Sequence, residues 1–378
     1  MRTSKPGIAG LFLLDTPQRF PTLDVHMHRF FHGTFVSSSL LSAMFAVVFS
    51  SDAFAQTGPV ISPVSADPAS GQNSNPLDLD TVVISGRYLG PGLWKVRNGE
   101  RTLWILGTQN PLPKRMEWDS ANVERKVAAA QEVLMPPSVK MDADVGFFRG
   151  LTLLPSLFKA RKNPDGRTLG EVLPAAQYAR WQVLKQRYIG GDRGIEEWRP
   201  VFAALELYDK AITRSGMTQE SIVSDVVRKA AKRNKVKITT PTVKIKIANA
   251  KAALREFSSE ALNDQECFQR TLDRIEGDLG TMAGRANAWA EGDIEVLRNL
   301  PYQNQFTVCS AVFTGTAIAR KQGIQDIQAR IENEWMAAAE KSLSQNNSTF
   351  AVLPVSQLLR PDGLLARLAA KGYTVDAP

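Results

Sequence analysis

The sequence predicts an α/β protein: a mixed central sheet with flanking helices and a large helical middle region. Two stretches carry that expectation. Early on, Pro91-Gly-Leu-Trp-Lys-Val96, the turn Asn98-Gly99 and Thr102-Leu-Trp-Ile-Leu106 read as a β-hairpin. At the far end, Phe350-Ala-Val-Leu353 reads as a buried strand and Leu358 to Ala370 as a helix beginning around Pro361-Asp362. Gly372 then sits as the helix C′ residue, and Tyr373-Thr-Val375 forms a last strand.

The elements between follow from their apolar periodicity. Thr81-Val-Val-Ile-Ser-Gly86 is a β-rich run ending in glycine. A helix is expected from Ser120 to Gln131, with Val123 and Val127 inward, and it leads to the strand Glu132-Val-Leu-Met135, which Pro136-Pro137 stops. Strand, helix and strand in that order predict a βαβ crossover and a parallel pair. Ala175 to Tyr188 places Tyr178, Trp181 and Leu184 on one helical face, and Val201 to Ile212 does the same with Leu205 and Tyr208. Such aromatic stripes read as core. Val236 to Ile247 supplies two strands around Pro241, Cys267 to Trp289 a long helix or helical pair, and Ile324 to Leu343 a further helix.

All three histidines, His26, His28 and His32, precede the body. The apolar stretch Val36 to Phe49 follows His28-Arg29 and runs into Ser51-Asp-Ala-Phe-Ala55, the basic, apolar and small-residue order of a secretory signal cleaved after Ala55. Residues 1–26 fit no part of that signal and read as a misassigned extension with the start at Met27. Residues 27–55 are then the signal peptide and 56–79 a Pro/Ser/Asn/Gly-rich tether. Residues 80–378 form the α/β domain, with its helical insertion at approximately 150–345. The expected location is periplasmic or secreted. An exported body without histidine lacks the base and ligand of the commonest hydrolytic sites.

Charge and cysteines narrow the classes further. The formal net charge is +8, and basic residues concentrate between Arg228 and Arg255. Lys244-Ile-Lys-Ile-Ala248 alternates charge with apolar side chains, so Lys244 and Lys246 form either a candidate basic patch or the wet face of a strand. Cys267 and Cys309 in an oxidising compartment form one disulfide or stay as two buried thiols; spacing does not decide between them. Asp142 and Asp144, near Arg149, Arg161 and Lys162, read as an exposed loop or as a new polar cleft. No Gly-X-Ser-X-Gly elbow, phosphate-binding glycine loop or zinc-finger cysteine spacing occurs, which removes the serine-nucleophile and nucleotide classes.

Leu103-Trp-Ile-Leu-Gly-Thr-Gln-Asn110 with Pro111 and Pro113, Glu132-Val-Leu-Met135, Ala288-Trp-Ala-Glu-Gly-Asp293 and Phe350-Ala-Val-Leu-Pro-Val-Ser-Gln-Leu358 together resemble the TraB/GumN family, related to Tiki-type and pheromone-shutdown proteins. The resemblance implies a Gly-X-X-His motif after the first core strand, an acidic residue ending the next strand and a Gly-X-Gly-His-like motif after the late strand. Some Tiki-type relatives are metal-dependent peptidases. Here Gly107 and Thr108 remain, but Asn110 stands at the first histidine position, Met135 at the acidic position and Gln357 at the late histidine position. Neutral amides are weak donors to Zn²⁺, and a thioether is no carboxylate base.

The expectation is therefore a pseudoenzyme without cofactor or metal. Its candidate cleft is Gly107, Thr108, Gln109, Asn110, Met135 and Gln357 at the strand ends, where open α/β sheets bind ligands. Alternatively, Asn110 caps the following turn and Gln357 bonds its own loop. The partner expected is an envelope protein, a peptide or an anionic polymer, with peripheral contact to a membrane surface and no nucleic acid. The competing reading is a hydrolase or metal-dependent peptidase with a divergent active site.

Overall fold

Ten strands and the helices between them are placed by a computed structural model that describes residues 90–143, 152–299 and 305–378. The residues read above as an N-terminal extension, a signal, a tether and the run Thr81–Gly86 lie outside the described residues, as do Asp144 and Arg149. In chain order the strands are β1 (Leu93–Asn98), β2 (Arg101–Thr108), β3 (Leu112–Pro113), β4 (Glu132–Leu134), β5 (Ser138–Ala143), β6 (Met217–Thr218), β7 (Lys237–Thr239), β8 (Thr242–Ile247), β9 (Ser348–Pro354) and β10 (Thr374–Asp376). The helices that build the core are α1 (Ala121–Ala128), α2 (Ala175–Tyr188), α3 (Pro200–Arg214), α4 (Ile222–Arg233), α5 (Gln265–Gly277), α6 (Leu279–Glu291), α7 (Gln305–Thr314), α8 (Ile327–Gln345), α9 (Val355–Leu358) and α10 (Leu364–Ala370).

The central sheet has the order β10-β1-β2-β9-β4-β7. β1 is antiparallel to both β10 and β2, whereas β2, β9, β4 and β7 run parallel. Asn98 pairs with Arg101, so the hairpin loop is Gly99-Glu100 and lies one residue beyond the expected Asn98-Gly99. The strand-helix-strand unit β2-α1-β4 is present, but its strands are not neighbours, because β9 is inserted between them. β9 buries five consecutive residues, Thr349 to Leu353. A strand buried on both faces needs cover on each, and the same core contains α1 (Val123, Val127), α4 (Val223, Val227) and α8 (Trp335, Met336, Ala339).

Prolines divide the parallel pairing. Pro136, Pro137 and Pro241 lack the N–H that a ladder requires, and beyond them β5 and β8 continue as a separate two-stranded parallel ribbon, with Ser138 opposite Thr242. Val139, Val243 and Ile245 turn to Ile327 of α8, while Lys140, Asp142, Lys244 and Lys246 are exposed. Asp142 thus lies on a strand, and the exposed-loop expectation is corrected. The two strands expected around Pro241 are β7 and β8, and β7 belongs to the main sheet.

A second core forms where α2, α3 and α5 pack through Trp181, Leu184, Ala203, Leu207, Phe268 and Leu272. Trp181 and Phe268 stand 5.7 Å apart between ring centroids, as the aromatic stripe of α2 predicts. Cys267 of α5 and Cys309 of α7 are joined by a disulfide across a sequence separation of 42. Cross-linking removes entropy from the unfolded chain, so Cys267→Ala with Cys309→Ala should lower stability by about 2–4 kcal/mol. Urea unfolding of oxidised protein checks this, and an unchanged midpoint would show that the bridge contributes nothing. Among the described residues no helix is long and apolar enough to cross a membrane.

Candidate functional site

Parallel strands end together by register, and this brings the candidate residues to one edge of the sheet. Thr108 of β2 pairs with Pro354 of β9, and Leu134 of β4 with Ala351. Gln109 and Asn110, Met135, and Gln357 in α9 therefore follow the carboxyl ends of three adjacent strands. Gly107 makes that convergence possible. A Cβ built there would lie 2.8 Å from Trp94 Cζ3 and 3.2 Å from Val355 and Leu358 of α9, so only glycine lets α9 and Trp94 close over β2.

Several groups at this edge are committed within the protein. Trp289 of α6, buried, donates from Nε1 to the Gly107 carbonyl at 2.6 Å. Trp118 stands edge-on to it at 5.4 Å. Met135 is fully buried and its backbone N–H donates to the Thr239 carbonyl, so its thioether belongs to the core. Gln109, 7% exposed, donates from Nε2 to the Asn110 carbonyl. The Thr108 hydroxyl donates to the Leu353 carbonyl.

Two amides remain at the margin. Asn110 Nδ2 donates to the Gln219 carbonyl at 3.5 Å, which ties the β2 end to the segment before α4. Gln357 is half-buried, and its Oε1 is shielded from solvent without a hydrogen-bond partner. Such an acceptor costs free energy unless a donor reaches it. The basic residues lie apart from these amides, on the ribbon beyond the prolines, where Lys244 faces Lys140 and Lys246 faces Asp142.

The profile of the TraB/PrgY/gumN family matches residues 92–377. The chain belongs to that family. No curated protein and no solved structure matches it. In this TraB/PrgY/gumN protein the residues at the three motif positions, Asn110, Met135 and Gln357, do not suit the metal chemistry that the resemblance implies, since they offer two neutral amides and a buried thioether. Among the described residues, no group of three or more His, Cys, Asp or Glu is placed to hold a metal ion.

The two buried carboxylates nearest to a catalytic profile are both committed elsewhere. Glu132 starts β4, at the opposite end of that strand from Met135. Burial raises its pKa, but hydrogen bonds from Lys237, Thr239 and Asn346 outweigh burial and hold the carboxyl below its usual range. Asp264 is raised by burial, yet it accepts from the Val201 N–H inside the helical core. The residue that sequence reasoning missed is Trp289. Its signal was the Ala288-Trp-Ala-Glu-Gly-Asp293 motif, a feature of α6 until the fold brings it to Gly107.

Proposed function

We propose that this TraB/PrgY/gumN protein is a non-catalytic binding or interaction protein of the cell envelope. The observation that carries the reading is the donor set at the strand ends: Asn110, Met135 and Gln357 supply neither a charged metal ligand nor a general base. Gln357 Oε1 is an acceptor without a partner, and a turn of this half-buried amide toward the surface would let a peptide N–H or another neutral donor of a partner satisfy it. The ribbon lysines add loose, salt-sensitive attraction to anionic material.

Purified without chelator, the protein should contain no stoichiometric zinc, manganese or cobalt and should show no chelator-sensitive peptide cleavage. Either finding, reduced by Asn110→Ala, would restore the peptidase reading. Affinity capture from envelope extracts separates the two binding surfaces. A saturable partner retained at high salt and lost with Gln357→Leu supports recognition at the strand ends, whereas loss at high salt and with Lys244→Gln and Lys246→Gln assigns binding to the ribbon.

A further inference from the structure

The ribbon of β5 and β8 leaves one side of β8 without a strand partner among the described residues. Register shows which backbone groups lie on that side. The Ser138 N–H donates to the Pro241 carbonyl at 2.8 Å, across a parallel pair in which Ser138 stands opposite Thr242. In a parallel ladder alternate residues of a strand bond to the same neighbour, so Val243, Ile245 and Ile247 turn their main-chain groups to β5 as Pro241 does. Those of Thr242, Lys244 and Lys246 turn away from it. One contact agrees with this direction: Arg330 of α8 donates from Nη2 to the Lys244 carbonyl at 3.4 Å. Among the described residues no hydrogen bond reaches the N–H of Lys244 or of Lys246.

Unpaired N–H and C=O groups along an edge are a template for another strand. Main-chain bonds give such an addition its affinity, and alternate side chains select its sequence. On the solvent face Lys244 stands opposite Lys140, and like charges directly opposite are destabilising. Asp142 lies opposite Lys246 and offsets one of the three lysines, so this face keeps a positive excess. The other face carries Val243 and Ile245, buried in one cluster with Ile327 of α8. On that side an open groove of about 440 Å³ lies between Thr242, Val243 and Lys244 of the strand and Arg330, Asn333 and Glu334 of the helix. A strand added at this edge would therefore meet lysines on one face and aliphatic side chains on the other. A second copy of β8 fits poorly, since it would bring its own lysines beside these or, turned over, onto the apolar face.

We propose that the free edge of β8 takes an extended acidic segment of a partner protein as a third strand, in which glutamate or aspartate alternates with an aliphatic residue. The acids lie beside Lys244 and Lys246, and the aliphatic side chains lie on the side of Val243 and the groove. This rests on the attraction to anionic material assigned above to the ribbon lysines, and it names the class of partner.

Fluorescence anisotropy on the purified protein tests this with labelled octapeptides: one alternating glutamate and valine, one of the same composition with its glutamates consecutive, and one alternating lysine and valine. The alternating acidic peptide should bind saturably, and the other two more weakly by about tenfold or more. Main-chain pairing has its own readout. N-methylation of all the valines, or of all the glutamates, removes N–H groups from one edge of the peptide only. One of these two peptides should lose binding and the other retain it, according to whether the segment runs parallel or antiparallel to β8. Lys244→Pro removes an outward N–H and spares the β5 ladder, so it should weaken binding more than Lys244→Gln. Salt-sensitive binding that is equal for both acidic peptides would keep the attraction of the lysines and overturn strand addition, whereas no saturable binding of either would remove both. Equal effects of the two methylations would overturn the proposal, as would self-association of the protein that is lost in Lys244→Pro, which would give the edge to a second copy.

Discussion

Trp289→Ala should lower stability by about 3–5 kcal/mol, the range for truncating a fully buried aromatic side chain. Three losses contribute. The indole leaves a cavity between Gly107 and Trp118, its apolar surface is no longer buried, and the Gly107 carbonyl loses the donor that reaches it at 2.6 Å. Trp289→Phe separates these effects in large part, because it keeps a six-membered aromatic ring in the site while removing the N–H along with the rest of the indole. It should cost about 1–3 kcal/mol, the penalty for one buried polar group left unsatisfied. Urea unfolding of the three proteins measures both differences. A neutral Trp289→Phe would show that the hydrogen bond contributes nothing, and an alanine variant within about 1 kcal/mol of wild type would remove Trp289 from the core.

The same residue explains what could be read in the sequence and what could not. Features set by local pattern were legible: α2 occupies Ala175–Tyr188 as its apolar spacing predicts, and the continuous apolar run around Phe350 is a buried strand. Pro241 separates two strands because a missing N–H is visible in the residue itself. Order within the sheet was not legible. β9 enters between β2 and β4 from more than two hundred residues downstream, and no local periodicity encodes that. For the same reason β5 was hidden: its partner β8 is distant, and alternation alone did not distinguish Ser138–Ala143 from a loop.

At the candidate site the contrast is sharper. Residue identity already showed that Asn110, Met135 and Gln357 make a poor metal site, since donor chemistry belongs to the side chain. What surrounds Gly107 depended on Trp289 and Trp94 meeting there, which is a consequence of tertiary packing.

Arg199→Met should cost about 3–5 kcal/mol, the range for removing one partner of a buried charged network. Arg199 is 2% exposed and sits at the N-cap of α3. Its Nε donates to the Lys162 carbonyl, and its Nη2 donates to the carbonyls of Phe257 and Ser258. Methionine keeps the length of an apolar stem but removes the guanidinium that lies 5.1 Å from the Phe257 ring centroid, and it leaves those carbonyls without their donor. It also removes the cation that offsets the charges of Asp264 and Glu260. The pH dependence identifies this electrostatic part. Burial raises the Asp264 carboxyl above its unfolded value, while Arg199 pulls it down. A raised acid binds its proton more tightly in the folded state, so its contribution to stability falls as pH rises from the unfolded value through the folded one. Without Arg199 the folded value climbs further and that window extends upward. The deficit of Arg199→Met should therefore be smaller at about pH 5 than at about pH 7, and Asp264→Asn in the same chain should flatten the difference. Urea unfolding at the two pH values provides the measurement. A deficit independent of pH would mean that Asp264 does not sense Arg199, and the loss would then be ascribed to the three carbonyls alone.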